Sequence, residues 1–290
     1  MKTVEKSQFI FLVIIFTFYS FNSFAQIYSG HLVDKESGQP IPYANIGIIG
    51  KNIGTASNIA GWFKMELKSK YDKDTLCVSS IGYESKKYLV GDFKDDIGNI
   101  DQVKIELSPK IYQLAEVIIQ PINTKIYTLG NFCESNSTYG NAFYSNKLGT
   151  EMGVIIELPH NKNKAYLNNF RFYVGEFTFD KFPVRLNIYN LKNGLPYENI
   201  LTEPIFIEIT SAGEYIIDLK KYNILTNGDF FISLEYYKIA DSTEGKLVFC
   251  AIHNEEINKG NGYYRLTSQG NWKREMFDNV GFSVQVECEE

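Results

Sequence analysis

Apolar and polar residues alternate with a period of two along most of this chain, in short runs broken by Gly, Pro, Asn and Asp. That period marks half-buried strands, and no long run follows the helical period. In "WFKMEL", Phe63, Met65 and Leu67 share one face while Trp62, Lys64 and Glu66 share the other. Phe170, Phe172 and Val174 oppose Arg171 and Tyr173 in the same manner, as Phe282, Val284 and Val286 oppose Ser283 and Gln285. Before Pro121 the candidate strands are "IYSGHLV", "YANIGII", "GTAS", "GWFKMEL", "TLCVSS", "YESKKYLV", "VKIEL" and "AEVIIQ". Their close spacing predicts a compact sandwich of about seven strands. Beyond it, nine further runs, from "GVIIEL" to "GFSVQVE", predict a second and larger antiparallel sandwich of jelly-roll type. Within "GTASNIAGWFKMEL", Asn58 suits a turn start and Gly61 a left-handed turn end, which predicts a hairpin with Trp62 facing solvent.

The first 25 residues break this pattern and read as an export signal. Lys2 and Lys6 precede the apolar stretch Phe9–Phe21, and Ser23 and Ala25 supply the small residues of a cleavage site. The stretch is shorter than the roughly 20 residues a membrane-spanning helix needs. No later run is long or apolar enough to span as a helix, so the mature chain is expected to be exported, with periplasmic, outer-membrane-associated and cell-surface placements all open. The domain organisation expected is therefore a signal over 1–25, a first sandwich over 26–120 and a second over 121–290. Loss of the signal makes the formal charge of −5 one unit more negative. Mild acidity without a basic run excludes nucleic acid as a natural partner.

One stretch carries a family resemblance. "SGHLVDKESGQPIPYANIGIIGKNIGTASNIAGWFKMEL", then "LCVSSIGYESKKY", then "LAEVIIQP", resembles the carboxypeptidase-regulatory-like domain. The matching features are Gly30, the Pro40–Ala44 entry, the Gly54–Thr55 step, Gly61 before an aromatic pair, and Ile81–Tyr83. The resemblance implies a transthyretin-like sandwich, usually non-catalytic, in exported proteins of certain Gram-negative bacteria, and brings no functional residue with it. The same domain often precedes TonB-dependent transporters. Too little chain follows Pro121 for their barrel of about 22 strands, so an accessory role in such uptake is the form in which that association survives. The second part resembles an uncharacterised companion domain of this module.

Candidate chemistry is sparse. His253 and Glu256 stand at the H-x-x-E spacing of a zinc pair, but no His follows to complete the three ligands of a catalytic zinc. His31 and His160 are scattered, and no nucleophile elbow, C-x-x-C pair or P-loop occurs, so no catalytic residue, metal or cofactor is expected. Cys77 reads as a small core residue. Cys133, Cys250 and Cys288 leave one bridge open among three thiols, with no spacing to select it. The best contact surface is "NGYYRLTSQGNWK": Tyr263, Tyr264 and Trp272 offer flat apolar faces beside Arg265, and Trp62 offers another in the first sandwich. Aromatic planes ringed by polar groups suit sugars. The reading is thus an all-β, non-catalytic, exported binding or scaffolding protein of the cell envelope, taking a glycan or an envelope protein. The alternative is a hydrolase whose acidic pair lies in the second sandwich.

Overall fold

The computed structural model describes residues 26–97, 103–111, 123–133, 140–143, 148–239, 245–253, 260–275 and 278–289. The expected signal and the segment "LAEVIIQ" lie outside them. The N-terminal part contains β1 (Gln26–Asp34), β2 (Asn45–Ile48), β3 (Gly54–Ala56), β4 (Trp62–Leu67), β5 (Thr75–Ser79), β6 (Lys86–Leu89), the helix α1 (Val90–Ile97) and β7 (Val103–Leu107). They form a three-stranded sheet in the order β4-β1-β7 and a four-stranded sheet in the order β3-β2-β5-β6. Leu32, Phe63, Met65, Leu67 and Ile105 of the first sheet share one apolar core with Ile46, Ile48, Leu76 and Val78 of the second.

The alternation read in "WFKMEL" is observed, with Phe63, Met65 and Leu67 buried and Trp62, Lys64 and Glu66 exposed. The expected hairpin is not. β3 pairs with β2 and β4 pairs with β1, so the turn between them carries the chain from one sheet to the other. Its chemistry is nevertheless that of the residues named. Asn58 Oδ1 accepts hydrogen bonds from Ala60 N and Trp62 N at 2.9 and 3.0 Å. Gly61 has φ +76°, and a Cβ there would lie 2.5 Å from Leu32 O. Ser57 decides the crossing: its buried Oγ accepts from Ala44 N and donates to Ile41 O, both at 2.9 Å, which pins the strand end to the neighbouring loop. The strand read as "YESKKYLV" is observed as β6 over Lys86–Leu89. The short helix α1 that follows from Val90 was not read in the sequence; Val90 and Phe93 turn inwards to the core while Asp92, Lys94 and Asp95 do not.

The C-terminal part contains β8 (Thr124–Gly130), β9 (Gly140–Ala142), β10 (Glu151–Ile156), β11 (Lys164–Phe177), β12 (Phe182–Lys192), β13 (Leu195–Asn199), β14 (Ile205–Ile209) and β15 (Gly213–Asp218). It continues with β16 (Leu225–Asn227), β17 (Phe230–Tyr236), β18 (Leu247–His253), β19 (Gly262–Arg265), β20 (Lys273–Arg274), β21 (Asp278–Val280) and β22 (Phe282–Glu289). One seven-stranded sheet runs β13-β12-β17-β10-β19-β20, with β14 also on β12. An eight-stranded sheet runs β21-β18-β11-β22-β8, with β15 and β16 on β11 and β9 on β18. The β12–β13 turn is Asn193-Gly194, both left-handed at φ 54° and 74°, as a two-residue hairpin requires. Between the sheets lies a second core, built from Val154, Leu186, Ile188, Ile232 and Leu234 on one side and Phe170, Phe172, Phe249, Phe282 and Val284 on the other. Cys133 and Cys250 form a disulfide, whereas Cys77 and Cys288 are buried free thiols. The protein is all-β, and no helix among the described residues is long and apolar enough to cross a membrane.

Candidate functional site

The outer face of the seven-stranded sheet does not look like a solvated surface. On β12, Leu186 and Ile188 point into the core, so Arg185, Asn187 and Tyr189 point the other way. Arg185 lies opposite Glu235 of β17, Glu235 opposite Glu151 of β10, and Glu151 opposite Arg265 of β19. The four side chains make one row across four strands, with cations at the ends and carboxylates in the middle. Arg185 is 2% exposed and both glutamates 0%.

Two acids side by side in a dry place repel each other and lose their hydration, so their hydrogen bonds must compensate. Glu235 Oε2 accepts from Arg185 Nη2 and Asn187 Nδ2, both at 2.7 Å, and from Arg185 Nε at 3.2 Å. Glu151 Oε1 accepts from Asn187 Nδ2 at 2.9 Å and Ser233 Oγ at 2.5 Å. Its Oε2 accepts from Arg265 Nη2 at 2.5 Å, Arg265 Nε at 2.8 Å and the Tyr189 hydroxyl at 3.3 Å. Burial is the largest influence on Glu235 and pushes its carboxyl up, but the charges of Arg185 and Arg265 and the hydrogen bonds together hold it below its ordinary value of 4.5. Burial likewise pushes the Tyr189 phenol well up. For Arg265, burial opposes the charge, yet Glu151 and its neighbours more than offset that and keep the guanidinium firmly protonated.

Beside this row lies a cavity of about 570 Å³ between the N- and C-terminal parts. Asn45, Ser79, Tyr83 and Lys87 line it from one side, and Arg185, Asn199, Ser268 and Gln269 from the other. Backbone and side chains bridge its margins. Arg185 Nη1 donates to Tyr43 O at 2.8 Å, Gln269 Nε2 to Ser79 Oγ at 3.0 Å, Gly50 N to Gln269 O at 2.8 Å and Thr267 Oγ1 to Lys51 O at 3.1 Å. Tyr43, left-handed at φ 55°, places its ring edge-on to Tyr237 and Phe206. Two residues of the lining, Asn45 and Ser268, each carry a side-chain oxygen that is itself fully buried and has no hydrogen-bond partner among the described residues. Tyr83 donates its hydroxyl to Asp34 at 2.9 Å; burial first, then Asp34, pushes its phenol up to about 12.

The five residues singled out for contact separate into three places. Tyr263 and Arg265 share the outer face with Trp272, whose ring lies 4.4 Å from the Arg265 guanidinium and 4.9 Å from Phe231. Trp272 thus covers the charge row, and of the five only Arg265 lines the cavity. Tyr264 turns inwards and packs on the core, as strand alternation requires when its neighbour faces out. Trp62 stands apart on the N-terminal part, stacked on His31 at 4.2 Å. Glu256 lies outside the described residues, as does the side chain of His253; His160 is exposed in a turn. Among the described residues no His, Cys, Asp and Glu cluster to hold a metal. Sequence reasoning missed the row itself. The signal was present: "VRLNIY" and "SLEYY" each place a charge inside an otherwise apolar strand.

These features define an all-β protein with a polar cleft between two sheet pairs. Residues 28–119 match the model of the CarboxypepD_reg-like domain, and further β-rich structure follows that domain. Among solved structures, the chain is similar to the cysteine protease and lectin-like domains of Cwp84, a surface layer associated protein of Clostridium difficile. There the identity is 10%, the match covers 58% of this chain and 36% of that one, and the TM-score is 0.37. A DUF3823 family protein from Parabacteroides merdae is similar at 10% identity over 73% of this chain and 98% of that one, with a TM-score of 0.19. The chain spans little more than a third of the Cwp84 chain, and likenesses this distant carry no inference. No curated protein matches the sequence.

Proposed function

We propose that this is a non-catalytic, exported binding or scaffolding protein of the bacterial cell envelope, and that its cleft binds a glycan. The observation carrying this reading is the cavity of about 570 Å³, whose lining includes the polar side chains of Asn45, Ser79, Tyr83, Asn199 and Gln269. That size falls within the usual range for small-molecule sites, and convergent polar groups are typical of their linings. Bridges across the margins hold the two walls in place, which lowers the ordering cost of association. The Cys133–Cys250 disulfide suits an oxidising compartment, as the leader-like N-terminus does.

The hydrolase alternative finds an acidic pair in the C-terminal part, Glu151 and Glu235, but in the wrong state. A glycosidase needs one carboxyl kept protonated near neutral pH and both within reach of substrate. Here both are sealed from solvent by their own arginines, and Glu235 is held ionised. Glycan arrays together with envelope pull-downs, both using folded protein, test the proposal. Binding of a glycan or capture of an envelope protein, a TonB-linked transporter included, supports the module reading. Empty results in both overturn it, as does glycoside turnover abolished by Glu235→Gln.

A further inference from the structure

We infer that the free edge of β4 is a docking site for an extended acidic peptide, which adds to the sheet β4-β1-β7 as a further strand. This goes beyond the glycan reading and does not rest on it, since the edge lies outside the cleft. Among the described residues β4 pairs with β1 alone and so ends its sheet. Gly61 O accepts from Leu32 N of β1, whereas Trp62 O accepts from Asn58 N on the other side. Backbone groups alternate in direction along a strand, so the N–H and C=O of Phe63 and Met65 point at β1 and those of Lys64 and Glu66 point away. Among the described residues no hydrogen bond reaches these outward groups. The open window is bounded at both ends: Asn58 occupies the outward groups of Trp62, and Lys68 O accepts from Tyr71 N at 3.0 Å.

Beside this edge runs a groove of about 660 Å³. Lys64, Met65 and Glu66 line it in succession, as they would a groove that follows the strand's edge, since their side chains face alternate ways. The other wall is the free edge of β3, Gly54 and Thr55, with Thr267 of the C-terminal part. Ile53 and Leu148, both half-buried, add apolar surface. A strand added at the usual spacing of about 4.8 Å lies in this groove and bonds the outward N–H and C=O groups. Walls on either side admit one extended chain rather than the folded bulk of a second copy. Charge selects the chemistry of that chain. Glu66 is paired with Lys68 at 3.2 Å, whereas Lys64 has no counter-charge among the described residues. A residue across from Lys64 on the added strand shares its face, where opposite charges attract and like charges repel. Native edges are commonly guarded by bulges, proline or lysine. β4 pairs with β1 without a bulge and contains no proline. Its guard is Lys64, which repels a basic strand and favours an acidic one.

The test is titration of the full folded, isotope-labelled protein with short end-capped peptides of alternating Val and Thr, carrying Asp, Lys or Ser at the centre. In the free protein the amide hydrogens of Phe63 and Met65 should exchange slowly and those of Lys64 and Glu66 rapidly. The Asp-centred peptide should bind, protect the Lys64 and Glu66 amides, and hold about threefold to fivefold tighter than the Lys-centred one. Lys64→Glu should invert that order. Glu66→Pro removes an outward N–H while leaving the β1 ladder whole, and should weaken binding about fivefold or more. Lys64 and Glu66 amides already protected in the free protein overturn the inference, as does failure of every peptide to bind. Equal binding of the Asp- and Lys-centred peptides, or an order that Lys64→Glu leaves unchanged, also overturns it. So does protection of the same two amides by self-association, read from its dependence on protein concentration, which assigns the edge to a second copy. Each of these outcomes leaves the glycan reading of the cleft standing. Where Glu66→Pro fails to fold, Lys64→Glu decides.

Discussion

On one face of β12, Leu186 and Ile188 sit in hydrocarbon; on the other, Arg185 and Asn187 sit just as far from solvent. The strands beside it repeat the contrast. Ile232 and Leu234 face the core of the C-terminal part, while Ser233 and Glu235 face the charge row. Alternation in a sheet thus separates two surfaces without saying that either is wet. What differs is the way each surface tolerates change. Hydrocarbon contacts are non-directional, so swaps that conserve volume cost little. A desolvated charge row is directional, and any member removed alone leaves another buried without its partner. The covered outer face also supplies one wall of the cleft, because Arg185 reaches Tyr43 across the junction.

The largest expected effect comes from breaking the row on one side only. Arg185→Leu strips Glu235 of its main counter-charge and Tyr43 O of a donor, so urea unfolding should show a loss of about 3–5 kcal/mol. The paired change Arg185→Met with Glu235→Leu removes both charges together and should restore stability to within about 1 kcal/mol of the unaltered protein. If the single change cost no more than about 0.5 kcal/mol, as surface substitutions do, the outer face would be hydrated and the contrast with the inner face would be lost.

Acid provides a second, smaller probe. Glu235 is held below its ordinary value of 4.5 in the folded state, so it stabilises the fold above that value and the contribution is lost as pH falls through the lower folded one. Melting temperature should therefore drop more steeply below pH 4.5 in the unaltered protein than in the Arg185→Met, Glu235→Leu pair. Asp34, held low chiefly by the Ser37 backbone N–H, and Glu106, held low by Lys104, keep their contributions in both proteins and cancel in the comparison. Equal slopes would mean that Glu235 carries no linked proton.

The strands were legible because alternation is local: Phe63, Met65 and Leu67 mark their face within six residues. The crossing between β3 and β4 was not, since the same Asn58 and Gly61 serve a hairpin and a sheet change equally well. Only the buried Ser57 hydroxyl, bonded to residues 13 and 16 positions earlier, separates the two. The disulfide was open for a similar reason, its two cysteines lying 117 residues apart. The charge row gathers β10, β12, β17 and β19, and its registers depend on long-range pairing that no window of sequence contains. Arg265 was found through its aromatic neighbours, whereas its partner Glu151 sat unremarked beside a hydrophobic run.

The two tryptophans sharpen the contrast at its weakest end. Trp272 lies across Arg265 and Phe231 and shields the charge row. Among the described residues Trp62 stacks on His31 alone, and its face of β4 is shared with Lys64 and Glu66, both exposed. No buried charge among the described residues lies beneath it, so its ring contributes little beyond one aromatic contact, some of which a leucine retains. Trp62→Leu should accordingly shift unfolding stability by about 0.5 kcal/mol, read from matched urea curves. A loss of several kcal/mol would show that the outer face of β1 and β4 is packed in the way the row is. Burial of an outward-facing surface would then be a property of both parts of the molecule.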